Sequence, residues 1–374
     1  MRGYYFFYSF FYFIKLAFTK KHYNIIFYAP HHFNRGENSE NIFFKDLLEV
    51  CEVHNLSFLY LEEPDLYSNQ KRSKKAIPFD FIFYLIVFIR KLINSDFSFI
   101  YRDKKIGSFI GKIFLKNISF DNYITISQSM LSFFNGVNSD AKRFDLQHGT
   151  IHASKESYLH KGLVSRNLEE NDVTLLLSGN MYKDILLKNE ISTYFQDHIK
   201  VIGISGYNNI IQLKLNKNVL VSLQFTHDHS LDENKKIADS LELMIKKEST
   251  FHFYLKNHPR FNNEIDLTRF LSLPNVSLIC ENFEDNFNRC SFHLTAYSTI
   301  TFEASLKGIP TCFLQLDYSK MSIFNTQYNY PFYNFLLSDL HENYSVCSIE
   351  TEKWAKQFYQ PFCKESFLKS LKNA

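Results

Sequence analysis

From Tyr23 onward the chain alternates short apolar runs with longer segments in which apolar residues recur every three to four positions. The short runs are rich in β-branched and aromatic residues, which predicts strands at "YNIIFYAP", "LSFLYLEEP", "FSFIYR", "NYITIS", "KRFDLQHG", "VTLLLSG" and "IKVIGISG". The segments between them predict helices. In "ENIFFKDLLEVCEVHN", for example, Phe43, Leu47, Val50 and Cys51 fall at helical spacing. Strands that alternate with helices pair in parallel in an open α/β sheet.

The polar stretch "YNNIIQLKLNKN" interrupts the alternation, which restarts with the strand "VLVSLQF" and a helix bearing Asp and Glu early and Lys late, as the macrodipole favours. "FHFYLKNHP", "VSLIC", "FHLTAYS" and "PTCFLQ" follow as strands, with "TITFEASLKG" as a short helix closed by Gly308; the tail reads as helix interrupted at Pro361. The pattern therefore predicts two Rossmann-like α/β domains, 1–206 and 219–350, joined by a linker at 207–218 and followed by a helical segment at 351–374. A chain of 374 residues exceeds the size at which single cores stop growing, so a cleft between two doubly wound domains is expected. Ligands of open parallel sheets sit beyond the carboxyl ends of the strands, so the residues just after strands carry the functional reading.

Before Tyr23, "MRGYYFFYSFFYFIKLAFTKK" is apolar from Tyr4 to Ile14 and is then broken by Lys15, which is short of the ~20 residues of a spanning helix. It carries no small-residue cleavage site. Two readings stay open for it, an interfacial helix that presses aromatics into a membrane surface and an ordinary packed helix. The six cysteines are scattered without C-x-x-C spacing, which supports neither a disulfide scaffold nor a zinc site. The expected location is the cytoplasm, at the cytoplasmic face of the inner membrane if the first 18 residues touch lipid. A net charge of +3 is too small for a nucleic-acid binder. The local basic cluster of Lys71, Arg72, Lys74 and Lys75 reads as a solvated loop before the buried helix "FDFIFYLIVFIRKLI", or more sharply as a patch for anionic headgroups or a diphosphate-linked acceptor.

Three strand ends are chemically loaded. In "LKNHPR", Lys256, His258 and Arg260 crowd a strand exit where Pro259 stops the ladder, a cationic cluster suited to a phosphate or to nothing more than a surface loop. In "AYSTITFEASLKG", Ser298 and Thr299 stand where a strand hands over to a helix; their hydroxyls and the first-turn N–H groups predict an anion site, with simple helix capping by Ser298 as the plainer reading. Glu303, one turn on, could accept from ribose hydroxyls. In "LQHGT", His148 is placed to act as a general base or as a donor to developing charge, and Gly149 permits a tight turn or a close backbone approach. Gln147 beside it, and His31 and His32 after the first strand, face the acceptor side by the same logic. "FTHDHSLDE" offers His227, Asp228 and His229, but histidines one residue apart on an extended stretch point to opposite faces, so a loop near donor or acceptor is preferred to a metal site. No G-x-G-x-x-G, G-x-S-x-G or Walker A sequence is present, which argues against oxidoreductase, hydrolase and nucleoside-triphosphatase readings.

In this order the three motifs, spanning roughly Phe144 to Phe313, resemble bacterial GT-B glycosyltransferases of capsule, O-antigen and lipopolysaccharide synthesis, of the sialyltransferase-like and β-Kdo-transferase-like families with their HP and S-S/T motifs. They are also similar to the CDP-glycerol glycerophosphotransferases of teichoic-acid synthesis. The resemblance implies two Rossmann-like domains facing a central cleft, a nucleotide-sugar donor (CMP-linked ulosonic acid favoured) bound by the second domain, and a glycan or lipid-linked glycan acceptor. It implies donor-phosphate contacts from His258, Ser298 and Thr299, to which the strand-end reading adds Lys256 and Arg260 on the donor and Glu303 toward its ribose; it carries His148 over as catalytic base or leaving-phosphate contact, so His148 and His258 are the expected catalytic histidines. It also implies no metal and no cofactor apart from the donor. The sequence departs from it in lacking the acidic base motif of the sialyltransferases, and in having Ala296 where the teichoic-acid enzymes carry aspartate. The alternatives are a CDP-polyol phosphotransferase and a non-catalytic glycan-binding relic.

Overall fold

A computed structural model describes residues 2–34, 36, 39–65, 71–93, 97–204, 215–258, 261–279, 287–316 and 322–372. The chain divides into two compact units, Met1–Ser205 with Gln360–Ala374, and Gly206–Tyr359. Most of the linker expected at 207–218 lies outside the described residues.

The first unit is built on a seven-stranded sheet of order β3-β2-β1-β4-β5-β8-β9. Its strands are β1 (Lys21–Pro30), β2 (Phe58–Glu63), β3 (Ile77–Pro78), β4 (Ile118–Ile126), β5 (Lys142–Leu146), β8 (Val173–Leu177) and β9 (Ile199–Val201), all paired in parallel. A small hairpin of β6 (Leu159–His160) and β7 (Leu163–Val164) stands apart; Lys161 and Gly162 both take φ > 0 in its turn, as a two-residue hairpin requires. The central strands are buried on both faces, which is why their sequences read as near-continuous apolar runs. One face packs on α2 (Lys45–Val53), whose Leu47, Leu48, Val50 and Cys51 join Phe27, Phe44, Ile124 and Phe144 in one core.

α1 (Arg2–Ala17) packs on α3 (Asp80–Leu92) and α4 (Phe99–Phe114), with Phe13 against Phe79 and Phe10 against Phe81. The segment "FSFIYR", expected as a strand, begins α4. Ser98 accepts from the Tyr101 amide and so caps the helix, and Ile100, Ile106 and Ile110 bury one helical face. Its apolar run was too short to be told from a strand, and the periodicity that decides lies further along. α4 crosses α5 (Leu131–Val137) at backbone contact: a Cβ on Gly107 would stand 2.0 Å from the Phe133 carbonyl oxygen, and one on Gly136 2.0 Å from that of Lys104.

The second unit carries a five-stranded parallel sheet of order β12-β11-β10-β13-β14, from β10 (Asn218–Ser222), β11 (His252–Lys256), β12 (Val276–Leu278), β13 (Phe292–Thr295) and β14 (Thr311–Phe313). Both sheets reverse direction beside their first strand, between β1 and β4 and between β10 and β13. Each is therefore Rossmann-like, with a switch point. The tail expected as one helical segment at 351–374 divides between the units. The helix Tyr344–Phe358 stays with the second, stacking Trp354 on Phe302, whereas the helix Lys364–Lys372 buries Phe367 in the core of the first. The chain breaks at Pro361, where the left-handed Gly203 lets Ile204 pair with Pro361; a Cβ at 203 would meet the Pro361 oxygen at 2.2 Å.

Overpacking of the α4–α5 crossing should be costly because backbone atoms cannot give way. Gly107→Ala is expected to lower unfolding free energy by ~2 kcal/mol or more, whereas Gly3→Ala, with nothing within 4 Å of its Cβ, should shift it by no more than ~1 kcal/mol and toward greater stability. Urea denaturation of the two variants checks the contrast.

Candidate functional site

Parallel register places the chemistry of each unit on one edge of its sheet. In the first unit Leu61, Tyr28, Thr125, Asp145 and Leu175 lie in one row across the strands. Three residues past that row the chain reaches His31, Gln128, His148 and Ser178, so these four positions share the carboxyl edge. Phe33, in the 3-10 turn His31–Phe33, meets the His148 ring edge-on at 5.3 Å and lies 4.2 Å from the His32 ring. This links the loop after β1 to the loop after β5 across the end of β4.

Within this cluster the expected acceptor-side residues take different places. His31 is buried; its Nδ1 accepts from the Asp65 amide at 2.8 Å, and burial, then the nearby Arg72, lowers its pKa, so it braces the loop as a neutral ring. His32 has a side chain 39% exposed and places Nδ1 2.7 Å from an Asp65 carboxylate oxygen. Gln147 is also a brace: its Oε1 accepts from the amide and hydroxyl of Ser178 at 2.9 and 3.0 Å, and its Nε2 donates to the Gly149 carbonyl at 2.8 Å. Gly149 takes no left-handed φ, and a Cβ there would meet only the Lys155 Nζ, at 3.9 Å. The chain bends at this glycine without the left-handed conformation, and its Cα is not crowded by neighbouring backbone.

The loops are held by two buried charge centres that the motifs did not reveal. One terminal nitrogen of Arg72 donates to both Asp80 oxygens at 3.0 Å and the other to Glu62 at 3.1 Å; Glu62 in turn accepts from Asn34 at 2.7 Å and from the Ser73 amide at 3.0 Å. Within the basic cluster at 71–75 Arg72 is consumed inside and Lys75 pairs with Glu52, while Lys71 and Lys74 are exposed. Asp145, just before the Gln-His-Gly turn, accepts from the Gln128 amide at 2.7 Å and so holds a loop in which Ser127, Gln128 and Met130 all adopt positive φ. Its Oδ2 is buried without a hydrogen-bond partner among the described residues, and burial raises its pKa to about 7 against the Gln128 amide bond and, less, the pull of Lys155.

In the second unit Lys256, Ser222, Thr295 and Phe313 form the corresponding row. Lys256 and His258 leave β11, and Ser298 and Thr299 leave β13, on either side of the switch at β10. All four therefore share one edge, and the first three strand ends of the row lie about 4.8 Å apart in succession. Lys256, Asn257 and His258 are each partly exposed. Arg260 lies outside the described residues.

Ser298 is buried and caps the following helix, its hydroxyl accepting from the Ile300 amide at 3.3 Å. Its carbonyl takes the Thr301 amide, and the Thr299 carbonyl takes that of Phe302. The first-turn N–H groups expected to face an anion are thus satisfied internally, and the helix Ile300–Leu306 has only seven residues. What remains for a ligand is side-chain chemistry. Thr299 is exposed and makes no capping bond, and Glu303 is exposed one turn later.

A bridge across the switch point was missed. The Tyr297 hydroxyl lies 2.5 Å from Nε2 of the buried His229, while Nδ1 faces the Asn234 side-chain oxygen at 3.3 Å. Asn234 as acceptor fixes the proton on Nδ1, so Nε2 accepts from Tyr297. His227 instead points outward, 3.7 Å from Glu264. The two rings differ in exposure, but the stretch expected to be extended is a turn that the His229 amide closes on the Thr226 carbonyl. His293, in the core, is held between Ser222 and Thr311, and burial lowers its pKa to about 3. Among the described residues no group of three or more His, Cys, Asp or Glu could hold a metal ion. A surface groove of about 430 Å³ runs between α2 and the helix Lys364–Lys372, lined by Val53, His54 and Lys364.

No protein-family model and no curated protein matches the chain. Solved structures do. A UDP-GlcNAc 2-epimerase from Neisseria meningitidis bound to UDP-GlcNAc is 13% identical with TM-score 0.53, covering 93% of this chain and 100% of that one. The wall teichoic acid polymerase TagF is 14% identical with TM-score 0.51, covering 93% and 89%. The glycotransferase of kitacinnamycin is 10% identical with TM-score 0.53, covering 93% and 98%.

Two predictions follow from the buried groups. Between about pH 4 and pH 7 folded Asp145 keeps a proton that the unfolded chain has lost, so its contribution to stability falls as pH rises through that window, by up to ~1.4 kcal/mol per pH unit. In Asp145→Asn that slope is expected to be absent, so the difference between parent and variant stabilities carries it. Tyr297→Phe is expected to cost ~1–2 kcal/mol in the same assay, because His229 loses a buried partner.

Two switch-point sheets, and likeness to these structures over 93% of the chain, establish that it has the GT-B fold.

Proposed function

We propose that this chain is a GT-B glycosyltransferase that moves a sugar from a nucleotide-sugar donor to a glycan acceptor. The donor nucleotide is assigned to the second unit, its phosphate to Lys256, His258 and the Thr299 hydroxyl, with Glu303 toward the ribose. The observation that carries this reading is the convergence of Lys256, His258, Ser298 and Thr299 on one edge of a Rossmann-like sheet, on both sides of its switch point. Breaking the donor bond leaves negative charge on the phosphate, and cationic and hydroxyl donors aimed there stabilise the transition state more than the ground state. Such donors can serve without a metal, and turnover is expected to persist in EDTA.

His148 is assigned to the acceptor hydroxyl as general base. The fold leaves room for a side chain at Gly149, which supports a glycine kept open for a bound partner rather than for the turn. CMP-linked ulosonic acid is the favoured donor, on the resemblance of the HP and Ser/Thr motifs, and a surface polysaccharide or lipopolysaccharide the favoured acceptor. The likeness to an epimerase bound to UDP-GlcNAc and to a teichoic acid polymerase keeps UDP- and CDP-linked donors in the test.

Calorimetry of the full chain with CMP-, CDP-, UDP- and GDP-sugars is expected to show one nucleotide class binding, and binding weakened about tenfold or more in His258→Ala, which loses a charge-assisted contact. Failure of every nucleotide to bind, or full affinity in His258→Ala, overturns the assignment. Two readings of the product separate the alternatives: phosphorus transferred to the acceptor, seen by mass spectrometry, marks a polyol-phosphate transferase, and conversion of UDP-GlcNAc to an isomer of equal mass with no acceptor present, seen by NMR, marks an epimerase. Gly149→Ala is expected to leave the thermal midpoint unchanged while raising the KM for acceptor.

A further inference from the structure

The face of α1 turned away from the core is a stripe of aromatics. Tyr4, Phe7, Tyr8, Phe11 and, just past the helix, Phe18 are 43–80% exposed. At 3.6 residues per turn they fall on one side, opposite the buried Ser9, Phe13 and Leu16. Exposed apolar surface continues on α4 at Phe109 and Ile113, and on α3 at Phe88 and Leu92. Lys116 bridges α1 and α4, its Nζ standing 5.9 Å from the Phe18 ring centroid. A contiguous aromatic patch of this extent marks an interaction surface.

The charge around the patch identifies the partner. α1, α3 and α4 contain two carboxylates between them, Asp80 and Asp103. Both are buried, Asp80 paired with Arg72 and Asp103 with Arg90 at 2.9 Å. The exposed charges on these helices are Lys15, Lys91, Lys105, Lys112 and, at the end of α4, Lys116. Composition does not account for this, because the chain as a whole has 39 Asp and Glu against 42 Lys and Arg. The helix Leu231–Lys247 shows the ordinary mixture, with Asp232, Glu233, Asp239 and Glu242 beside its lysines.

We propose that the faces of α1 and α4 form a docking surface for an anionic lipid bilayer, with the α1 aromatics in the interface and the lysines on headgroup phosphates. A second copy of this chain fits poorly, since a twofold contact would press lysine against lysine. The helix lies on the membrane and does not cross it, for no helix among the described residues is long and apolar enough to span one. The surface belongs to the first unit alone, so it stands apart from the nucleotide assignment.

Flotation of the full chain with vesicles of phosphatidylcholine alone, or with 30% phosphatidylglycerol (roughly the anionic share that gives a strong surface potential), tests the surface. The parent is expected to float with the anionic vesicles only. Phe7→Ser with Phe11→Ser, and separately Lys112→Glu with Lys116→Glu, are each expected to weaken binding by about tenfold or more. All four residues are exposed, so an unchanged thermal midpoint confirms folding, and nucleotide binding serves as an independent reading of the second unit. Absence of parent binding, or equal binding by the lysine variant, overturns the proposal. So does a parent dimer in sedimentation that the Phe7/Phe11 variant dissolves, which would assign the stripe to self-association.

Discussion

Parallel strand pairing is the constraint from which the rest of the structure follows. A parallel ladder sends every strand out at the same edge, and a common register makes residues equally far beyond it neighbours, however distant in sequence. His31, Gln128, His148 and Ser178 are spread over nearly 150 positions yet stand three residues past one row. In the second sheet Lys256 lies in the row of Ser222 and Thr295, and His258, Ser298 and Thr299 leave the same edge two to four residues past it. The switch in strand order then opens the loops on either side, which leaves room for a ligand at an edge otherwise closed by crossover helices.

Holding those loops is costly, and the molecule does it with buried polar groups. Arg72 neutralises two carboxylates that would otherwise be stranded inside, and Asp145 spends a buried carboxyl on the amide of a left-handed loop. Gln147, His31 and the His229–Tyr297 pair do the same for their own turns. Removing one partner of any such group leaves the other desolvated and unsatisfied, so the bracing is cooperative. Around each candidate site, the residue that faces outward is the neighbour of one that braces. His32 stands beside His31, and Thr299 beside Ser298.

That adjacency explains what the sequence could and could not convey. Alternation of apolar runs with helical periodicity sufficed for two α/β units, because doubly buried strands have a distinct composition. It failed at "FSFIYR", where six residues carry no period and the cap at Ser98 decides. Strand ends pointed to the right neighbourhoods. The role of each residue within them depended on hydrogen bonds to distant chain, such as Gln147 to Ser178 or Tyr297 to His229, which no local pattern encodes. The first-turn N–H groups at 300–302 were misjudged for the same reason, since Ser298 and Thr299 satisfy them internally.

The claim on which the functional account turns is that a nucleotide-linked donor lies on the carboxyl edge of the second sheet. Hydrogen–deuterium exchange of the full chain, with and without a saturating nucleotide-sugar, reads this most directly. The account predicts slowed exchange in peptides covering 223–229, 256–258 and 296–299 together, with β12 unchanged. Saturation that leaves those three segments exchanging as before, or that protects only segments away from that edge, would contradict it.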